Sequence, residues 1–160
     1  NEVAMRWFIG EIMPLILREL PKAKLHVVGH DNPKLNDLKN NQNVVFHGYQ
    51  KKIDKFISSS NVFVLPFQTG AGVRIKSLTA LQNGVPIVST KLGIDGLNLI
   101  KNQHYLIAET KQEFAKQVIK LLKNKSLREK ISKEQKKYFL DNHSQKNNKL
   151  FLKEYLKCTN

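Results

Sequence analysis

The stretch Pro66–Thr90, PFQTGAGVRIKSLTALQNGVPIVST, decides the fold. The apolar run Val62–Leu65 leads into it and stops at Pro66. A loop over Gln68–Gly72 follows, holding Gly70 and Gly72. Val73–Gln82 then carries apolar residues at helical steps, and Gly84 closes it, as glycine does just past a helix end. Pro86–Ser89 is again short, apolar and β-branched, which reads as a buried strand. Strand, glycine loop, helix and strand make a βαβ unit, whose two strands run parallel. The loop also has a chemical reading. Gly70 and Gly72 let the backbone take positive φ or come close to a ligand. The N–H groups of Val73, Arg74 and Ile75 open the helix, and the partial positive charge there suits a phosphate. Arg74 and Lys76 place two cations beside it. Two glycines before a helix also serve a plain tight turn, and the loop alone does not separate these readings.

The same alternation extends outward. Glu2–Leu20 repeats Met5, Phe8, Ile9, Ile12, Ile16 and Leu20 at three- and four-residue steps, a helix with a kink expected at Pro14 and an end at Pro21. Lys24–Gly29 reads as a strand closed by glycine. Asn32–Lys39 reads as a short helix, with Asn32 as its cap and Pro33 first inside. Val44–Phe46 is a second strand, and Lys51–Ser58 a short helix with Ile53, Phe56 and Ile57 inward. Tyr105–Ala108 is a fifth strand. Lys111–Leu122 is a helix with Phe114, Val118, Leu121 and Leu122 on one face, and helices over 127–142 and 145–157 follow. Short strands that are apolar on both faces, alternating with helices, form a parallel sheet covered on both sides. Such sheets bind ligands beyond the carboxyl ends of their strands. That rule selects three glycine-bearing loops: Gly29–Asn32, His47–Lys51 and Phe67–Gly72.

Composition narrows the function classes. The 160 residues suit one domain, and a hydrophobic fraction of 41% is too high for a disordered polycation. Lys and Arg number 27 against 13 Asp and Glu, a formal charge of +14. Such a field attracts nucleic acid, anionic lipid or phosphate-bearing ligands. No nucleic-acid-reading motif is present, and aromatics are not interleaved with the basic residues, so nucleic acid is not the expected partner. The single cysteine, Cys158, excludes a disulfide framework and a Cys-rich zinc site. Of the five histidines, His26, His30, His47, His104 and His143, no two have metal spacing on a helix face, so no metal is expected. His26 reads as structural, while His30 and His47 lie at strand mouths on the ligand edge. Neither a membrane span nor a signal-peptide pattern is visible, which points to the cytoplasm. The opening at Asn1 without Met suggests a piece of a longer protein.

Taken in order, the segments resemble the donor half of the GT-B glycosyltransferases, in particular the retaining, nucleotide-sugar-dependent enzymes of group 1, family 4. The resemblance runs through Trp7, Phe8, Pro14 and Pro21; LHVVG at 25–29; VVFHGY at 44–49; NVFVLPFQTGAGVRIKSL at 61–78; ALQNGVPIVSTKLGIDGL at 80–97; and YLIAETKQEFAKQVIKLLKN at 105–124. It implies a Rossmann-like parallel sheet with helices on both faces, one half of a GT-B fold. The whole chain, 1–160, would be a single nucleotide-sugar-binding domain. It implies transfer of a sugar from a nucleotide diphosphate sugar to a glycan or lipid-linked acceptor, of hexosyltransferase type, with no metal and no resident cofactor. The implied donor-binding residues are Gly70, Ala71, Gly72, Val73, Arg74 and Ile75 at the diphosphate, Thr79 near the ribose, and Gly48 and Tyr49 against the nucleobase.

This sequence departs from the family pattern in two ways. The family signature holds two glutamates at the positions of Ala71 and Thr79; the first contacts the transferred sugar and the second the ribose hydroxyls. Neither carboxylate is present, which opens a second reading, a non-catalytic binding or scaffolding relative. The family's domain also opens with a strand and a basic loop, and the resemblance places Asn1 just after that strand. The amino-terminal acceptor domain is absent too, so the isolated chain is expected to be inactive. A missing strand would expose a sheet edge or leave it to be filled by another chain. Asp95, in GIDGL, reads first as a turn residue. Lys51, Lys52 and Lys55, and later Lys130, Lys133, Lys136 and Lys137, read as solvated surface. Peripheral contact of the parent enzyme with an anionic membrane is a secondary option.

Overall fold

A computed structural model describes residues 2–70 and 75–143 of the chain. The sequence-predicted helix over 145–157 lies outside the described residues. The first apolar rod is not a single kinked helix. α1 (Glu2–Trp7) runs into a π-helical turn over Phe8–Ile12, and α2 (Met13–Glu19) follows. The Met13 N–H donates to the Phe8 carbonyl, one residue further back than in an α-helix. Pro14, which has no N–H to donate back along the rod, follows directly after this turn. The register change therefore sits just before the proline rather than at it.

β1 (Leu25–Val27) pairs parallel with β2 (Val44–Phe46), with Leu25 opposite Val44 and Val27 opposite Phe46. Between them, a 3-10 helix over Pro33–Asn40 starts as expected, the Asn32 side chain accepting from the Lys34 N–H at 3.1 Å. α3 is shorter than expected, Asp54–Ser58. Ile53 stands just before it and is 39% exposed, whereas Ile57 is buried. A one-turn helix leaves Ile53 outside the buried face. β3 (Phe63–Leu65), β4 (Ile87–Ser89) and β5 (Tyr105–Ile107) form a second parallel sheet, with Phe63, Ile87 and Tyr105 in register. α4 is described from Ile75 to Asn83, and Gly84 ends it at φ 64°. α5 (Lys111–Lys123) and α6 (Lys125–His143) complete the described elements. All pairing is parallel, and helices flank the sheets, as the sequence implied. Among the described residues no ladder joins β1 to β3, so the sheet is in two pieces.

The strands alternate their side chains between two cores. Val88 and Leu106 join Phe8, Ile12, Ile16, Phe114, Val118 and Leu121 on one side. Ile87, Leu65 and Tyr105 join Ala80, Leu81 and Ile94 on the other. α5 is fixed at its start by a capping box: the Thr110 side chain accepts from the Glu113 N–H, and the Glu113 carboxylate accepts from the backbone of Glu109 and Thr110. Those backbone donors hold the Glu113 carboxyl below the usual carboxylate range. α6 is tied to the sheet by the fully buried Gln135, whose Nε2 donates to the His104 carbonyl at 2.7 Å.

His104 is itself buried, and its Nδ1 accepts from the Ile100 N–H at 2.9 Å. Burial pushes its pKa below the ordinary 6.5, with Glu134 pulling weakly the other way. In acid the unfolded chain therefore takes up a proton on this imidazole before the folded chain does. Stability is full above about pH 6.5 and falls as pH drops toward the depressed folded value. We expect the thermal midpoint to decrease from pH 7 to pH 5, and His104→Gln to flatten that slope. A midpoint that is flat over this range, or a slope unchanged by the substitution, would contradict this role for His104.

Candidate functional site

In parallel sheets the carboxyl ends of neighbouring strands open on one edge, where each chain segment must turn toward a helix. Gly29 follows the end of β1 and Gly48 the end of β2. The Gly29 N–H donates to the Gly48 carbonyl at 3.0 Å, joining the two loops. Gly48 has φ 65°, a conformation that a Cβ would strain. The residues beyond these glycines meet as well: the rings of His30 and Tyr49 stack with centroids 4.7 Å apart and planes 25° apart. Tyr49 is 64% exposed, so its ring is a surface platform rather than core. His30, which the sequence placed with His47 at the ligand edge, thus gains a specific neighbour. Below them His26 Nδ1 and His47 Nε2 lie 2.8 Å apart, and the His47 ring also packs on Phe56. Partial burial, then the neighbouring His47 and Lys24, lower the His26 pKa.

The loop after β3 leads through Pro66 and Phe67 to Gly70, at φ 105°. Ala71, Gly72, Val73 and Arg74 lie outside the described residues. α4 is seen from Ile75, which is 79% exposed. The Lys76 ammonium sits over the Phe67 ring, 5.8 Å from its centroid. Thr79 Oγ1 donates to the Ile75 carbonyl of its own helix at 2.9 Å. Its proton is therefore committed to the backbone, leaving only neutral lone pairs outward. Lys76 and Thr79 line one groove with Val28, His47 and Phe67, which brings the ends of β1, β2 and β3 around α4. Gly48 and Tyr49 do not line that groove; they stand with Gly29 and His30. Asp95 caps the 3-10 turn Lys91–Ile94 through its backbone, its N–H donating to the Leu92 carbonyl at 3.4 Å.

One residue that the sequence reading passed over holds this edge together. Thr90, buried at the end of β4, donates to the Phe67 carbonyl at 2.6 Å and accepts from the Gly93 N–H at 3.2 Å. It fixes the start of the glycine loop to the next crossover. The signal was present in PIVST, where a strand that is otherwise apolar ends in two small hydroxyl residues. Gly93 packs equally closely. A Cβ there would strike Ser89 Oγ and come within 2.8 Å of the Leu65 carbonyl oxygen. The Gly93 carbonyl also accepts from the buried Ser77 hydroxyl of α4 at 2.8 Å. Backbone on one side and a buried bond on the other leave no soft direction. Gly93→Ala is expected to cost about 1–3 kcal/mol, read from the urea midpoint. A change under about 0.5 kcal/mol would show that the two crossovers are not in close contact.

The positive charge is broadly spread. Acidic residues are drawn into surface pairs: Glu11 with Lys111, Glu19 with Lys123, and Asp37 with Arg6. Arg6 lowers the Asp37 pKa through this hydrogen bond and also donates to the Lys34 carbonyl. Exposed pairs of this kind contribute little to stability, because solvent and salt screen them. Among the described residues there is no group of three His, Cys, Asp or Glu side chains able to hold a metal. No described helix is long and apolar enough to cross a membrane.

Comparison with known proteins places this arrangement. The sequence profile described as Glycosyl transferases group 1 matches residues 1–124. A curated relative from Klebsiella pneumoniae, an uncharacterized 44.6 kDa protein in the cps region, is 27% identical over 133 residues, covering 78% of this chain and 34% of the relative. The chain thus spans about a third of that relative's length. S. aureus TarM, solved with UDP and α-GlcNAc-glycerol, matches 92% of this chain and 31% of its own at TM-score 0.76 and 18% identity. Anabaena HepE, solved with UDP and glucose, matches 92% of this chain and 44% of its own at TM-score 0.78 and 12% identity. The C-terminal domain of a group 1 family protein, LpcC of Francisella tularensis, matches 89% of this chain and 80% of its own at TM-score 0.76 and 18% identity. These structures share the fold, and the profile covers most of the sequence: the chain belongs to the group 1 glycosyl transferases.

Proposed function

We propose that this chain is the donor-binding domain of a retaining glycosyltransferase that moves a sugar from a nucleotide diphosphate sugar to a glycan or lipid-linked acceptor. The observation that carries this reading is the glycine edge. Gly29 and Gly48 follow the carboxyl ends of β1 and β2, Gly70 lies in the loop after β3, and α4 is described from Ile75 onward. In the proposal, Gly70–Ile75 faces the diphosphate with Arg74 as its cation, Thr79 faces the ribose, and Gly48 with Tyr49 faces the base. Negative charge develops on the departing diphosphate, so fixed N–H dipoles and a cation there stabilise the transition state. Neither a metal nor a resident cofactor is needed in this scheme. UDP in TarM and HepE supports a uridine donor. The cps-region relative supports a surface-glycan acceptor. Cytoplasmic placement, with peripheral contact to an anionic membrane through exposed lysines, belongs to the same proposal.

The committed Thr79 hydroxyl favours a second reading, a non-catalytic relative that binds or scaffolds an active transferase. A titration of UDP and GDP, followed by the amide signals of Gly48, Tyr49 and Ile75–Thr79, tests the first reading. Under the second, those signals do not move with either nucleotide.

A further inference from the structure

His26 lies opposite Val45 in the parallel pair of β1 and β2, and His47 stands two residues beyond Val45. Alternation along a strand puts these three side chains on one face. His26 Nδ1 and His47 Nε2 are 2.8 Å apart, the ring centroids are 5.1 Å apart, and the planes differ by 15°. That centroid separation is as long as such a nitrogen contact permits, so both nitrogens lie on the line between the ring centres. The rings are therefore edge to edge in one plane, the geometry of an N–H···N bond rather than of a face-to-face stack. One nitrogen donates and the other accepts, so the contact holds a single proton. With both rings charged, two N–H groups would point at each other and the bond could not exist.

The rest of the hold on His47 does not titrate. Its N–H donates to the Val27 carbonyl at 2.9 Å, its carbonyl accepts from Gln50 Nε2 at 2.8 Å, and its ring packs on Phe56 of α3 with centroids 4.7 Å apart. The ring bond is the part that responds to pH, and its surroundings disfavour a second proton. Partial desolvation first, then His47 and Lys24, hold the His26 pKa below the ordinary 6.5. Glu19, Lys22 and Lys76 are the other charged groups along the same groove, and Glu19 is paired with Lys123. On α3, Asp54 accepts from the Asn83 side chain of α4, and Lys55 is exposed. One residue beyond His47, the Gly48 carbonyl accepts from the Gly29 N–H at 3.0 Å, and the next ring, Tyr49, stacks on His30. The imidazole pair thus adjoins the joint between the two loops.

We propose that His26 is a positioning residue: through one proton shared with His47, it locks the joint between the β1 and β2 loops at neutral pH and releases it in acid. The folded pair resists a second proton that the imidazoles of the unfolded chain accept freely. The lock is therefore complete above about pH 6.5 and is lost as pH falls toward the depressed value of His26. A released His47 carries Gly48 and Tyr49 away from Gly29 and His30. In the donor site this moves the ring assigned to the nucleobase. That consequence rests on the donor-site reading above, whereas the lock itself does not.

Amide hydrogen exchange at Gly29, whose N–H bridges the joint, reads the lock directly, with Phe63 of the second sheet as reference. From pH 7.5 to pH 4.5 the protection of Gly29 relative to Phe63 is expected to fall by at least about tenfold. His26→Asn keeps a donor and an acceptor near the place of Nδ1 without a titrating ring, and is expected to hold that protection across the range. His26→Ala lacks the bond and is expected to be as weakly protected at pH 7.5 as the parent is at pH 4.5. His26 is exposed, so neither substitution opens the core. The proposal is overturned by a parent ratio that does not change with pH, by an Asn variant that loses protection as the parent does, or by an Ala variant as protected as the parent at pH 7.5. Titrations with UDP at both pH values separate the lock from the donor-site reading. The Asn variant is expected to bind UDP as the parent does at pH 7.5 and at least about threefold more tightly at pH 4.5. Equal binding at both, with exchange as expected, overturns the role of His26 in positioning the base. No UDP response at either pH overturns the donor-site reading and leaves the lock standing.

Discussion

Phe114→Ala is expected to lower the unfolding free energy by about 3–5 kcal/mol, one of the largest losses any single truncation in this domain would give. Phe114 is fully buried in α5 and meets two aromatic rings edge to face, Trp7 and Phe8, each with centroids 5.8 Å away. Those partners lie on either side of the point where α1 becomes the π-helical turn. The phenyl ring thus holds the irregular rod, α5 and the sheet in one cluster with Val88 and Leu106. Its removal takes away the transfer free energy of the ring, two aromatic contacts and the support for the register change. Urea unfolding followed by tryptophan fluorescence reads the loss and the state of Trp7 together. A cost below about 1.5 kcal/mol would mean that α5 is not the anchor of this core. Tyr49→Ala, which truncates an exposed ring, serves as the control and is expected to stay within about 0.5 kcal/mol of the parent.

Thr79→Glu is expected to raise the affinity for UDP about 10- to 100-fold, the equivalent of one charge-assisted hydrogen bond to a hydroxyl. The reason lies in how Thr79 uses its hydroxyl. Its proton goes to the Ile75 carbonyl, which leaves a neutral acceptor for any ribose. A glutamate at this position carries a longer side chain and a full negative charge toward the groove that Thr79 and Lys76 line. Thr79→Ala, by contrast, is expected to change UDP affinity by less than about threefold, because it removes only a weak acceptor. Isothermal titration on the two variants and the parent decides. Unchanged affinity in Thr79→Glu would place the ribose elsewhere, and a large loss in Thr79→Ala would show that the hydroxyl already carries the contact.

Particular residues show how much of this was legible in the sequence. The strand ends were legible because β-branched runs stop at glycine or proline: Val44–Phe46 is β2 as read, and Gly84 ends α4 in a left-handed conformation. The cap at Asn32 and the start of α5 followed from local chemistry, which a sequence carries in full. The π-helical turn did not show, since apolar spacing does not distinguish a one-residue register slip from a kink; Pro14 marked the place but not the form. Nor did the inward face of α3, because a one-turn helix buries too few side chains for its period to fix an orientation. At the site, the glycines of three loops were visible as a pattern, but their pairing was not. The Gly29–Gly48 bond, the His30–Tyr49 stack and the Thr90 bridge join segments far apart in sequence, and only the folded register brings them together.

The charge of +14 first suggested a polyanion as partner. The paired carboxylates on the surface and the placement of Lys76 beside the glycine loop leave a smaller role for it. In the proposed function the share of the charge that meets the donor is that of Arg74 and Lys76.

The central claim, that the glycine edge is a nucleotide-sugar donor site, is tested most directly by the amide spectrum of the chain titrated with UDP and, separately, GDP. The account predicts saturable shifts with UDP that are confined to Gly48, Tyr49 and Gly70–Thr79, and weaker or no shifts with GDP. Silence at all of those amides with both nucleotides, while the rest of the spectrum reports a folded domain, would contradict it.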